Sequence, residues 1–218
     1  MQATKQRIIK ISEKLFFENG IANVRLQQIA DKANISVGHL AYHFKNKEAI
    51  VNAAYQQVFK ALSEIFYGDV KTKDLTDFDE LFEALFQLVN TYPFCFNNVW
   101  EISRHHPLIK NKWDDFLNKK LLRTQKRLAF HIKRGVLKKE SYKGEYKLLA
   151  QQLILNFHFR IPQQILSGKS TSIKLFKDAL WSLIYPYLTN KGLEEYHKLI
   201  VAGKKILSKR TVQKNNRK

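Results

Sequence analysis

Residues 26–50 read LQQIADKANISVGHLAYHFKNKEAI, and this stretch decides the fold. Leu26, Ile29, Ala30 and Ala33 recur at helical spacing and predict a short helix with one apolar face. Asn34 follows where the chain must turn, and asparagine is the usual non-glycine residue for the left-handed position that ends a helix. Ser36 is a natural N-cap for a second helix. That helix turns Leu40 and Phe44 inward and shows Val37, His39, Tyr42 and His43 to the outside. Gly38, near its start, would let the backbone come close to a surface. Helix, tight turn, second helix and the start of a third form the plan of a helix-turn-helix DNA reader.

The upstream residues complete the unit. Ile8, Ile11 and Leu15, flanked by Ile9 and Phe16, predict a first helix over 4–19 that stops at Gly20. Thr4, Lys5 and Arg7 at its start suit phosphate contact. Downstream, Asn46 is placed to cap a long helix from Lys47 to about Tyr67.

The segment SVGHLAYHFKNKEAIV resembles the signature of the TetR family of bacterial regulators through Ser36, Gly38, Leu40, Tyr42, His43, Phe44, Asn46, Lys47 and Glu48. Phe16, Gly20, Ile29, Ala30 and the Ala33-Asn34-Ile35-Ser36 turn fall in the same register. The resemblance covers the N-terminal quarter of the chain. It departs from the family pattern at Val24-Arg25, where a threonine pair is usual, at Asn34 for glycine, at His39 for a small hydroxyl residue and at Ala41 for an aromatic. The resemblance implies an all-α protein: a three-helix helix-turn-helix domain over 1–48 and a larger helical effector-binding and dimerisation domain over 49–207. The charge of the last residues reads as a basic, unstructured tail over 208–218. The resemblance also implies a homodimer on a palindromic operator in double-stranded DNA, and a small-molecule effector of unknown identity that releases a repressor.

The DNA-binding candidates are Arg25, Ser36, Val37, Gly38, His39, Tyr42, His43 and Lys47. Tyr42 and Lys47 match family positions that hold phosphates. His39 and Val37 suit base edges, since imidazole donates or accepts and valine meets a thymine methyl. An internal hydrogen bond competes for His43 and simple packing for Tyr42.

Beyond residue 68 the pattern predicts helices over 75–91, a short aromatic one in FCFNNVWEIS, then 108–137, 142–166, 172–189 and 193–207. Pro93, Pro107, Pro162 and Pro186 mark ends or bends. Aromatic surface for an effector cavity is supplied by Tyr92, Phe96, Trp100, His105, Trp113, Phe116 and Phe157, with Phe94 and Cys95 beside them. A packed core is the competing account of the same residues. His158, Arg160 and Gln163 are candidate polar groups on the cavity floor or at a dimer interface. The resemblance implies a dimer interface on the last two long helices, with Leu148, Leu149, Leu153, Leu155, Phe176, Leu180, Leu183 and Tyr187 as candidates; packing within the monomer is the competing account of each.

Composition narrows the classes. The 218 residues are 44% hydrophobic and carry a formal net charge of +19. Residues 1–60 hold nine Lys and Arg against four Asp and Glu, residues 108–139 eleven against two, and residues 203–218 seven against none. This excess suits a polyanionic partner. It also keeps open a second reading, a DNA-organising or protein-interaction factor without an inducer. No long uncharged apolar run predicts a membrane span, the charged N-terminus does not read as a secretory signal, and the single Cys95 fits a reducing, cytoplasmic setting. No nucleophile motif, phosphate loop or zinc-type spacing is present, so the sequence points to no enzyme, cofactor or metal.

Overall fold

The computed structural model describes residues 2–67, 73–168 and 171–201. The basic tail and the end of the expected last helix lie outside them. The described chain is helical: α1 Gln2–Asn19, α2 Leu26–Lys32, α3 Val37–His43, α4 Lys47–Tyr67, α5 Thr76–Thr91, α6 Phe94–Asn97, α7 Val99–His105, α8 Pro107–Lys133, α9 Glu145–Leu166 and α10 Ile173–Ile184. A single 3₁₀ turn, Tyr185–Tyr187, and a last helix, α11 over 190–201, follow.

Local chemistry sets most of these bounds. Gly20 takes φ +76° and ends α1. Asn46 caps α4, its Oδ1 accepting from the Ala49 amide at 2.9 Å. The single aromatic helix expected after Pro93 is instead two, parted at Asn98. The Asn98 amide donates to the Phe94 carbonyl at 2.7 Å and to the Phe16 carbonyl at 3.3 Å. A side chain that serves a carbonyl on a distant helix competes with its own helix, and the chain breaks there. The helix expected to run to 189 ends at Ile184, and Pro186 lies in the 3₁₀ turn. Pro162 lies inside α9.

Packing gathers the chain into two compact units. The first comprises Met1–Gly68, Ala84–Lys120 and His158–Ser170, as far as these are described. Its core holds Ile8, Phe16, Ile29, Leu40, Ile50, Tyr55, Leu62 and Phe94, all nearly fully buried. The Phe94 ring meets Tyr55 edge-on at 5.3 Å between centroids, and Phe16 at 6.5 Å.

The second unit comprises Asp69–Glu83, Leu121–Phe157 and Thr171–Lys218, again as far as described. Phe78, Phe82 and Trp181 pack edge to face in it. A buried ion network stands beside them. Asp77 lies 3.2 Å from Arg127 Nε and 3.1 Å from His131 Nε2. Arg134 reaches His131 Nδ1 at 3.1 Å and Glu195 at 2.6 Å. Gly135 ends the α8 segment at φ +71°, after which Leu137 and Leu188 form an isolated antiparallel bridge. Gly192 packs so tightly on this bridge that a Cβ there would run into the Val136 carbonyl.

Candidate nucleic-acid interface and effector region

The turn between α2 and α3 is a Schellman motif. The Ile35 amide donates to the Ala30 carbonyl and the Asn34 amide to the Asp31 carbonyl, both at 3.1 Å, while Asn34 takes φ +50°. Ser36 then caps α3, its hydroxyl accepting from the His39 amide at 3.0 Å. Leu40 and Phe44 anchor α3 from below. Lys5 lies over the Phe44 ring, 5.2 Å from its centroid.

With the rotation of α3 fixed in this way, its outer face is defined. Gly38, His39 and Tyr42 are exposed, Tyr42 to 69%. Val37 and His43 are half-buried. The His39 and His43 rings lie 5.2 Å apart, and the Tyr42 ring meets His43 edge-on at 5.3 Å. Desolvation first, then the charges of His39 and Lys5, lower the His43 pKa and favour the neutral ring, which can donate and accept. A Cβ on Gly38 would meet nothing nearer than Ser36 Oγ at 3.8 Å. Arg25 is exposed ahead of α2, and its backbone amide donates to Gln28 Oε1 at 2.7 Å.

Lys47 has an inward role that its place in the sequence does not announce. Its ammonium donates to the Ile21 carbonyl at 2.9 Å and to the Ala22 carbonyl at 3.0 Å. The Ile21 amide donates to Glu101 Oε2 at 3.1 Å. The loop between α1 and α2 is thus held from α4 on one side and from α7 on the other. Glu48 at the start of α4 lies 2.7 Å from Nδ1 of the buried His106.

The aromatic candidates divide. In the first unit Trp113 stacks on Phe116 at 5.7 Å and meets His158 edge-on at 5.8 Å, and Phe96 lies 5.9 Å from His158. Phe59 and Phe66 of α4 join this cluster through Trp113 and Phe116. Tyr92 is half-buried, and burial raises its pKa. Trp100, 76% exposed, and His105 lie on the surface instead. Of the paired histidines it is His106 that turns inward, because α7 ends at His105 and the chain changes direction there. Phe157 is buried but belongs to the second unit.

Sequence reading passed over Lys120. It is 2% exposed, its ammonium stands 5.2 Å from the Phe66 centroid, and burial pushes its pKa well below the usual lysine value. The signal was present: Lys120 sits four residues after Phe116 and four before Thr124, on the inward stripe of α8.

A three-helix head with a capped turn and a projecting second helix defines the helix-turn-helix class of fold. The model described as "Bacterial regulatory proteins, tetR family" matches residues 8–54, and that described as "Bacterial transcriptional repressor" matches residues 54–196. The second spans more than half of the chain, and the chain belongs to the TetR family.

The chain is 44% identical over 54 residues to the uncharacterized HTH-type transcriptional regulator YerO of Bacillus subtilis, across 25% of this chain and 19% of that protein. It is 31% identical over 86 residues to the transposon Tn10 TetC protein of Escherichia coli, across 39% and 42%. The matches therefore span less than half the length of these relatives. Among solved structures, a TetR-family transcriptional regulator from Marinobacter aquaeolei superposes with a TM-score of 0.78 at 21% identity, over 89% of this chain and 96% of that one. The SmeT–triclosan complex gives 0.65 at 18%, over 86% and 93%. Among the described residues no helix is long and apolar enough to cross a membrane.

Proposed function

We propose that this protein is a sequence-specific, DNA-binding transcriptional repressor released by a small-molecule effector. The observation that carries the reading is the face of α3: Gly38, His39 and Tyr42 stand exposed on a helix whose rotation is fixed by Leu40, Phe44 and the Ser36 cap. A short helix so presented fits a major groove, with imidazole and phenol groups for base edges and phosphates. Arg25, Ser36, Val37 and His43 complete the contact set, and the third ammonium proton of Lys47 suits a phosphate. Residues 1–48 would be the reading head and 49–207 the effector and dimer region.

A homodimer is part of this reading. Leu148, Leu155, Phe159 and Leu166 are each at least half exposed and fall on one line along α9, with Leu175 exposed on α10. Such a row over about 27 Å is an apolar face awaiting a partner. A second copy would cover it and place two α3 helices on half-sites about 34–36 Å apart or a multiple of that. Leu149, Leu153, Phe176 and Leu180 are buried within their own chain and are not part of this exposed row. Leu183 and Tyr187 are half-buried.

The effector would occupy the region around Phe96, Trp113, Phe116, His158 and Lys120, and would act by favouring one head arrangement over another. The structural neighbour SmeT is a complex with triclosan.

Selection of duplexes from a random pool with the purified protein tests the function. A palindromic enriched motif is the expected result. Tight binding with no enriched motif would replace this reading with a DNA-organising one.

A further inference from the structure

We propose that the outer face of α8 is a second anion-binding surface, one that takes the sugar-phosphate backbone of duplex DNA without reading its sequence. The helix is unbroken from Pro107 to Lys133. Its inward stripe is Ile109, Phe116, Lys120, Thr124, Leu128 and His131, all buried, and this fixes what points outward. Lys112, Lys119, Lys126 and Lys133 are all exposed and stand seven residues apart. A heptad step rotates by about 20° around an α-helix, so the four ammoniums form one stripe that winds by only about 60° from first to last. The row is about 31 Å long, with about 10.5 Å between steps. Arg123 is exposed on the same side. The one acid within the row is Asp115, paired with Lys119 at 2.6 Å, while Lys110 and Asp114 pair on the flank at 3.2 Å.

Two ordinary causes of a basic helix do not account for the row. The helix dipole favours cations within the last turn only, which covers Lys133 but not Lys112, Lys119 or Lys126. Solubility is served by interspersed charges of both signs, whereas a single-sign row repels itself. Duplex DNA is the occupant that fits. It is a stiff linear polyanion with a charge about every 1.7 Å of axis, and any length of it offers phosphates to a row about 31 Å long. An anionic bilayer fits less well. The exposed apolar residues on that side, Leu108, Leu122 and Phe130, stand singly and give no continuous edge to enter acyl chains. Lysine ammoniums on phosphates carry no base information, so this surface adds affinity and salt dependence, not specificity.

The test uses the full chain with Lys112, Lys119, Lys126 and Lys133 all changed to Gln. A control variant has Lys143, Lys147, Lys174 and Lys198, exposed lysines off this row, changed likewise. Binding of both and of the parent to a random-sequence duplex is followed by fluorescence anisotropy across a salt series, with thermal melts confirming that each is folded. The expected result is that the slope of log affinity against log salt falls by about 3 to 4 in the α8 variant, at about 0.9 per lost phosphate contact, and by less than 1 in the control. On a selected operator the α8 variant should lose affinity by the same factor as on random DNA, leaving their ratio unchanged. An unchanged slope, or an equal fall in both variants, overturns the proposal. So does loss of binding to phosphatidylserine vesicles with DNA binding intact. Failure to select any operator would sink the repressor reading and leave this slope comparison standing.

Discussion

Gly38→Ala separates what folding asks of α3 from what DNA would ask of it. Gly38 is helical, its φ lies outside the left-handed region, and an added Cβ would sit 3.8 Å from Ser36 Oγ, an ordinary van der Waals distance. Nothing inside the chain requires a glycine here. Glycine within a helix costs about 0.8–1.0 kcal/mol relative to alanine, and somewhat less in the first turn. The substitution should therefore stabilise the protein by about 0.5 kcal/mol and raise Tm by roughly 1–2 °C, readable in a thermal melt. If α3 lies in a major groove, the same methyl stands where the helix backbone approaches the duplex. Holding that backbone off should weaken operator binding at least about tenfold, or 1.4 kcal/mol. Anisotropy titration on a selected operator measures it. An alanine variant that is both more stable and equally tight on DNA would refute an interface role for the glycine. A less stable one would refute the packing on which the expectation rests.

Three further outcomes follow from particular contacts. Burial raises the Glu13 pKa from its ordinary 4.5 to about 7, against the opposing charge of Lys10. The folded state therefore holds that proton more tightly than the unfolded chain, and stability falls as pH rises from about 4.5 through 7. Glu13→Gln should flatten this dependence and stabilise the protein at pH 8 by on the order of 1 kcal/mol once solvent screening of a half-buried group is allowed for; equal melting curves at pH 8 would contradict it. Gly192→Ala should cost about 1–3 kcal/mol in urea unfolding, because the Val136 carbonyl that the Cβ would strike is backbone and also accepts from the Thr189 amide at 3.0 Å. Glu101→Ala removes the acceptor of the Ile21 amide and should lower stability by about 1 kcal/mol, whereas Glu101→Gln, which keeps an oxygen, should recover most of it; indistinguishable variants would mean the bond holds nothing.

What was legible in the sequence was local. Gly20, Asn34, Ser36 and Asn46 terminate or start helices through bonds to residues within a few positions, and each stands where the sequence put it. The inward pair Leu40 and Phe44 followed from a period of 3.6. What was missed depends on distant partners. Asn98 breaks a helix because the Phe16 carbonyl, 82 positions away, is within its reach. Lys47 turns inward because two carbonyls of the 20–24 loop lie across from it. Lys120 was lost for a different reason. Amid a densely basic helix its type outweighed its register, although the stripe through Phe116 and Thr124 placed it inside.

The grip on the loop between α1 and α2 bounds how a bound effector would be felt by the reading head. That loop is tied by Glu101 of α7 at Ile21, by Lys47 of α4 at Ile21 and Ala22, and Asn98 ties the end of α1 at Phe16. Asn98 and Glu101 belong to the short segment that follows Phe96, and Phe96 belongs to the aromatic cluster around His158. A ligand that displaced Phe96 would therefore have to carry Asn98 and Glu101 with it or break their bonds. The Glu101 bond is charge-assisted and contributes about 1.5–3 kcal/mol, less where water reaches it, and the neutral Asn98 bond about 0.5–1.5 kcal/mol. Together the two bonds can sustain a coupling of about 1–3 kcal/mol, which is a 5- to 150-fold change in operator affinity. For the proposed effector-released repressor, the coupling would run through side chains that reach the head by its loop rather than through the α3 helix itself. The reading surface can thus stay rigid while its position changes.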